Sequence, residues 1–223
     1  MSDEDSPGGS SKNADVLSAP IFGLSRHRLA VDGDGVTTLV AFHGCPLRCR
    51  YCLNDVCHDP RSVRRRVTPR QLVDELAIDN IYFLATGGGV CFGGGEPLLH
   101  SAFIEAFAKT RPHEWKITVE TSLNVPITAV ERVNPYIDHY IVDIKDCNPE
   151  IYRGYTDGDV SVALANLRWL LSHKGMIGKL TVRLPHIPDY NSPTDVARSR
   201  ATLAEMGVVD FDEFHYQKEK RRQ

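Results

Sequence analysis

Three cysteines fall within eight positions of the stretch "HGCPLRCRYCLN", as Cys45, Cys49 and Cys52 in a C-x3-C-x2-C spacing. Thiolates are soft metal ligands, and three of them in one short loop assemble with little chain closure, the more so because Pro46 stiffens the backbone between them. Two chemistries suit this arrangement. A cubane iron-sulfur cluster has four irons, so three cysteines leave the fourth iron open to bind and polarise a substrate. Alternatively Cys57, five residues beyond Cys52, supplies a fourth sulfur for tetrahedral zinc, with His43 or His58 as substitutes. Zinc modules of that kind usually present two C-x2-C hooks, and this segment has one.

Further residues able to do chemistry recur at intervals. Gly94, Gly95 and Glu96 stand in "GGGEP", where glycines allow a backbone to approach a ligand closely. Glu120 and Thr121 stand in "ETS", Asp143 and Lys145 in "DIK", Arg183 in "RLP" and His215 in "EFHY". Carboxylate and hydroxyl oxygens are hard donors, suited to a hard cation. Taken singly, a glycine cluster reads equally as a turn, "DIK" as a strand end with solvated charges, and a lone histidine as structural.

Their common feature is position. Six β-rich runs are recognisable, at 35–42, 89–92, 116–120, 139–144, 179–184 and 211–216; the cysteines and "GGGEP" follow the first two, and the other groups lie at the ends of the remaining four. Stretches with helical spacing lie between: "TPRQLVDELAI" opens on Thr68 and Pro69 as cap and first-turn residues, "SAFIEAFAK" places Phe103, Ile104 and Phe107 together, and "VALANLRWLL" repeats leucine. "SPTDVARSRATLAEM" closes the series. Strand and helix in alternation predict an α/β fold with a parallel sheet. Six units are too few for a closed eight-stranded barrel, so the expectation is an open, partial (β/α)6 barrel or a doubly wound sheet. In both, ligands gather at the C-terminal ends of the strands, where the named residues sit.

The 223 residues suffice for one domain, here assigned to 18–223. The acidic, Ser- and Gly-rich opening, residues 1–17, has neither a basic n-region nor an apolar core and reads as a disordered tail rather than a signal peptide. With 26 basic against 29 acidic side chains there is no electrostatic reason to expect nucleic acid or an anionic membrane. Arg64, Arg65 and Arg66 form a local exception that reads as a solvated face. No apolar run reaches the roughly 18 residues of a membrane span. Without an export signal, six cysteines point to a reducing cytoplasm, where thiols serve as ligands or core residues.

The cysteine spacing with Tyr51 as the aromatic before Cys52 resembles the signature of the radical S-adenosylmethionine (SAM) enzymes. The ordered series "VDGDGVTTLVAFHGCPLRCRYCLND", "GVCFGGGEPLLH", "IVDIKDCNPEIYRGYT", "VRLPHIPDYN" and "EFHY" resembles, more closely, the activating enzymes of glycyl radical enzymes. The resemblance implies a [4Fe-4S] cluster on Cys45, Cys49 and Cys52, reductive cleavage of SAM to a 5'-deoxyadenosyl radical, and removal of hydrogen from a glycine of a partner glycyl radical enzyme. It further implies contacts to SAM from Tyr51, Asn54, Gly94, Gly95, Glu96, Lys145, Arg183 and His215. Glu120, Thr121 and Asp143 would hold a monovalent cation beside the SAM carboxylate. A flavodoxin- or ferredoxin-type electron donor and a monomeric state also follow from it. Departures fall at Asp34 and Val36, where the family's "DGPGIR" becomes "DGDGVT", at Gly93 in place of a serine and at Glu213 in place of a proline. They leave room for a small-molecule or peptide target. Cys57, Cys91 and Cys147 read as single packed thiols.

Overall fold

The computed structural model describes residues 17–29 and 31–216; apart from Leu17 the expected N-terminal tail lies outside them, as does 217–223. Eight strands form one sheet: β1 (Ala19–Leu29), β2 (Val36–Phe42), β3 (Arg65–Val67), β4 (Gly89–Gly94), β5 (Lys116–Thr121), β6 (His139–Asp143), β7 (Leu180–His186) and β8 (Phe211–His215). Their order is β3-β1-β2-β4-β5-β6-β7-β8. Strands β2 and β4 to β8 are parallel, and these are the six runs anticipated from sequence. Antiparallel β1 and β3 extend the β2 edge and were not anticipated.

Helices α1 (Pro69–Leu76), α2 (Asn80–Thr86), α3 (Ser101–Thr110), α4 (Ile127–Val133), α5 (Pro149–Thr156), α6 (Val160–Leu171) and α7 (Pro193–Glu205) lie between the parallel strands. Their starts are chemically explicit. Thr68 accepts from the Gln71 N–H while the Gln71 side chain reaches back, with Pro69 at the first helical position; Ser192, Asp195 and Pro193 repeat the device on α7.

Side chains alternate along a strand, so each parallel strand has two faces. One face packs the helices: Phe92 of β4 stacks on Phe42 of β2 at 5.4 Å and meets Phe107 of α3 edge-on at 5.2 Å, and Val119, Val142 and Val182 continue this layer. Each fully buried side chain of this size contributes about 1.5–3 kcal/mol. The opposite face carries Glu120 and Asp143 near the C-terminal ends of β5 and β6 and Arg183 level with Asp143 in β7, and there the sheet encloses a cavity. The same period that builds the apolar core therefore gathers the charged groups on the inner side.

Candidate cluster and cofactor site

The cysteine loop leaves β2 and is tied down on both flanks. On one, the Gly44 N–H donates to the Cys57 carbonyl at 2.9 Å, and the Gly95 and Glu96 N–H groups donate to the carbonyls of Phe42 and Gly44 at 2.9 and 2.8 Å. On the other, the Arg48 and Arg50 N–H groups donate to the carbonyls of Thr156 and Tyr155 at 2.7 and 3.0 Å. Those carbonyls belong to the last turn of α5, which has no intrahelical donors for them. Leu47, 2% exposed, anchors the loop among Tyr152 and Val160, with Cys45 and Cys49 packed against that group.

Above the inner face lies a cavity of about 380 Å³. Cys45, Cys49, Cys52 and Asn54 line it from the loop, Gly94, Gly95 and Glu96 from the end of β4, Glu120 and Thr121 from β5, Asp143 and Lys145 from β6 and its following turn, and Arg183 from β7. Two residues named from the sequence are not among its lining. Tyr51 donates its hydroxyl hydrogen bond to Asp189 at 2.9 Å and stacks edge-on with Tyr155 and Tyr190. His215 is exposed and lies flat on His186, with ring centroids 4.3 Å apart. Its neighbour Tyr216 lines the cavity instead, as do Arg28 from β1, Leu53 and Ser122, which sequence reasoning did not single out.

The polar groups of the wall hold one another. Lys145, 7% exposed, places Nζ 3.4 Å from Asp143 and donates to the Tyr216 hydroxyl at 3.4 Å. Burial opposes its charge, but Asp143, Tyr216 and Cys49 outweigh burial and hold the ammonium well above its ordinary value. Arg183 contacts Glu120 at 2.8 Å and the Val31 carbonyl at 2.9 Å. Burial raises the Glu120 carboxyl and Arg183 works against the rise.

Glu96 is 1% exposed and accepts four hydrogen bonds, from the Leu98 N–H and Thr121 hydroxyl on one oxygen and from the Ser122 N–H and hydroxyl on the other. It fastens the end of β4 to the end of β5. A monovalent cation at Glu120, Thr121 and Asp143 would compete with Arg183 and Lys145 for the carboxylates, and with the Leu123 N–H for the Thr121 hydroxyl.

The glycines serve the backbone. A Cβ on Gly95 would stand 2.1 Å from the Gly44 carbonyl oxygen, and one on Gly94, at φ +88°, would stand 2.7 Å from the Ala41 Cα. The close approach that requires glycine is thus to β2 and the cysteine loop, where the sequence reading placed it against a ligand.

The donor set fits a cluster held at three corners. Cys45, Cys49 and Cys52 line the cavity, whereas Cys57 is 1% exposed and does not. Among the described residues no three His, Cys, Asp or Glu side chains converge tightly enough to share one metal ion. A cubane sets its cysteine ligands on different irons, so its thiols need not converge on a point. Burial holds all three thiols above their ordinary range, Cys49 at about 11, so without metal they stay protonated at neutral pH. Cys91 is fully buried, and Cys147 packs at the core edge, as single thiols.

A sequence profile of the radical SAM superfamily matches residues 39–192. The (2S)-3-sulfopropanediol dehydratase activating enzyme of Klebsiella oxytoca is 35% identical, over 77% of this chain and 72% of that protein. The indoleacetate decarboxylase activating enzyme of Tractidigestivibacter scatoligenes is 37% identical, over 86% of this chain and 81% of the relative. Among solved structures, SuiB of Streptococcus suis bound to S-adenosylmethionine superposes with a TM-score of 0.60 at 15% identity, covering 82% of this chain and 43% of that one, a likeness of fold alone. A profile match over more than half the chain, together with these relatives, shows that the protein belongs to the radical SAM superfamily, in the family of glycyl radical enzyme activating enzymes.

Proposed function

We propose that this protein removes a hydrogen atom from a backbone glycine of a partner glycyl radical enzyme, leaving a stable protein radical. Its cofactors are those of the superfamily, a [4Fe-4S] cluster and SAM. When bound, the reduced cluster would supply one electron to the sulfonium of SAM, whose S–C5' bond would break to give methionine and the 5'-deoxyadenosyl radical that takes the hydrogen. Cys45, Cys49 and Cys52 would hold the cluster, and Asn54, Gly94, Gly95, Lys145 and Arg183 would form the adjoining SAM wall.

The chain's own part is to bind, orient and keep water out. Lys145, fixed by Asp143 and Tyr216, presents a permanent positive charge to the cavity. Glu96 holds two strand ends together and so sets the floor on which a ligand rests. The observation that carries this reading is that three cysteines, and not the fourth nearby, face a cavity walled by both signs of charge.

A flavodoxin- or ferredoxin-type protein supplies the electron in this proposal, and the exposed Arg48 beside the cysteine loop, with Arg50 and Arg61 paired to Asp157 and Asp59, leaves one cation for an acidic donor to meet. In this proposal the chain acts as a monomer in the cytoplasm.

Anaerobic reconstitution with iron and sulfide tests the site. The wild type and the Cys57→Ser and Cys147→Ala variants should take up four irons, as a four-iron cubane requires, and Cys49→Ala should not retain an intact cluster. Incubation of the loaded enzyme with reductant, SAM and candidate glycyl radical enzymes should then give a glycine-centred radical by electron paramagnetic resonance. Loss of metal in Cys57→Ser, or zinc in place of iron, overturns the assignment of the cluster; cleavage of SAM without a glycine radical in any partner overturns the assignment of the target.

A further inference from the structure

A bulge in β1 brings an arginine to the inner face of the sheet. Ser25 pairs with Leu39 and Arg28 with Thr37, so β1 takes three steps where β2 takes two. The bulge includes His27, left-handed at φ +56°, an uncommon conformation for a residue other than glycine. Bulges of this kind re-aim the side chains around them. His27 turns to the helix side, 3.4 Å from Asp79 and edge-on to Tyr82, while Arg28 lines the cysteine cavity. In an unbroken strand His27 would oppose Thr37 and Arg28 would face the helices.

Arg28 grips Asp32 at two points, Nε donating to Oδ2 and Nη2 to Oδ1, the second at 2.8 Å; the Thr37 hydroxyl donates to the same carboxylate at 3.4 Å. Asp32 is fully buried, whereas Val31 before it is 51% exposed. Val31 lines the cysteine cavity and also a second, polar pocket of about 370 Å³ bounded by Arg183 and Asp212, so it walls the cavity on that side and stands at its opening. The Val31 carbonyl accepts from Arg183 at 2.9 Å, and a Cβ on Gly33 would stand 2.7 Å from the Thr118 hydroxyl. Residues 31–33 are thus held from β1, β5 and β7, and the two-point grip of Arg28 on a buried carboxylate is the strongest of these holds. The motif that the family writes "DGPGIR" ends here on Thr37, directly opposite Arg28. Side chains directly opposite on one face have Cβ atoms about 4.5–5.5 Å apart, so either position can carry a guanidinium to Asp32.

We propose that Arg28 is a positioning residue for the partner: from β1 it takes the place of the arginine absent at Thr37, and through Asp32 it sets Val31 as the wall against which the partner's glycine-bearing segment lies. The inference rests on the proposed action on a glycyl radical enzyme. Without the grip the wall yields and the partner binds less well, while a partner once bound holds the wall in place, so KM rises more than kcat falls.

Arg28→Gln shortens the side chain and removes its charge. In the reconstituted full chain without partner, an aspartate-specific endoproteinase should cut before Asp32 at least about tenfold faster than in the wild type, as the loss of a charged hydrogen-bonded pair implies for a local opening. With a glycyl radical enzyme, KM for radical formation should rise about tenfold and kcat change by less than about twofold. The exchanged pair Arg28→Thr with Thr37→Arg should return both the cutting rate and KM to the wild-type values. An unchanged cutting rate in Arg28→Gln overturns the proposal, as does faster cutting with an unchanged KM. If Arg28→Gln fails to fold, the exchanged pair decides: cutting as slow as in the wild type upholds the grip, and faster cutting overturns it. A wild type that forms no glycine radical in any partner sinks the reading of the target, while the cutting rates, measured without partner, still decide the grip, which separates the two failures.

Discussion

Arg183 on β7 and Glu120 on β5 meet at 2.8 Å across the intervening strand β6, each side chain 18% exposed, so one ion pair braces three strands beneath the cavity. Arg183 also holds the Val31 carbonyl and lies 3.3 Å from Asp212, which ties the β1–β2 connection and β8 to the same point. A buried pair of this kind matters most when half of it is removed, because the survivor keeps its desolvation cost without compensation. Burial already pushes the Glu120 carboxyl upward against the pull of Arg183.

Arg183→Met should therefore destabilise the metal-free chain by about 3–5 kcal/mol in urea unfolding. The double variant Glu120→Gln with Arg183→Met should recover part of that loss, since the charge left without Arg183, Asp212, is 51% exposed and keeps its water. Equal midpoints for wild type and Arg183→Met would show that the pair is structurally idle.

Glu96→Gln swaps an oxygen for an amide nitrogen at a side chain whose four bonds are all accepted. Whichever way the amide turns, its N–H groups meet one hydroxyl, which can rotate to accept, and one backbone N–H, of Leu98 or Ser122, which cannot; at roughly 1–3 kcal/mol for that unsatisfied buried group the variant should lose about 1–3 kcal/mol. Hydrogen exchange at the Ser122 and Leu98 amides gives a local check. Unaltered protection at both would refute the strand-fastening role.

Gly95→Ala brings a Cβ to 2.1 Å from the Gly44 carbonyl oxygen and 2.9 Å from that of Phe42. Both are backbone atoms, and Gly44 opens the cysteine loop, so relief of the clash must displace the loop. Gly154→Ala is the comparison, because its Cβ meets nothing within 4 Å. The first substitution should lower iron uptake on reconstitution and the second should leave it unchanged; like behaviour of the two would remove the steric argument.

Much of this was legible in the chain because β-strands with one apolar face read clearly. Strands β2 and β4 to β8 stand out by their Val, Ile and Phe content, and the residues at their ends converge as the parallel topology requires. Strand β1, "APIFGLSRHRL", escaped notice because Gly23, Ser25 and two arginines interrupt it and its pairing with β2 shifts register twice. Strand β3 is three residues taken from an arginine run that reads as solvated surface. Helix α2 shows no stripe, since Ile81, Tyr82 and Leu84 face solvent and only Phe83 is buried. The exchange of His215 for Tyr216 has the simplest cause. Neighbouring side chains in extended chain point to opposite sides, so a one-residue offset turns a cavity position into a surface one.

His100 lets the pH dependence of stability be traced to one ring. It packs on Phe42 with centroids 4.9 Å apart and its Nε2 lies 2.9 Å from the His43 carbonyl, so the neutral ring donates there. Burial pulls its value below the ordinary 6.5, outweighing the His43 carbonyl, which pulls the other way. The unfolded chain therefore binds the proton first as pH falls. Stability contributed by the neutral ring is complete above pH 6.5 and is lost as pH drops from 6.5 through the folded value, with a slope of at most about 1.4 kcal/mol per pH unit for one proton. His58 and His139, also lowered chiefly by burial, act in the same direction. Urea unfolding of the metal-free chain at intervals from pH 7.5 to about 5 should show the wild type losing more stability than His100→Gln, which keeps an amide donor but cannot take up a proton. The difference between the two curves isolates His100 from the buried carboxyls Glu96 and Glu120, whose raised values act with the opposite sign. Parallel curves over that range would mean that His100 remains neutral or charged alike in both states and bears no part of the dependence.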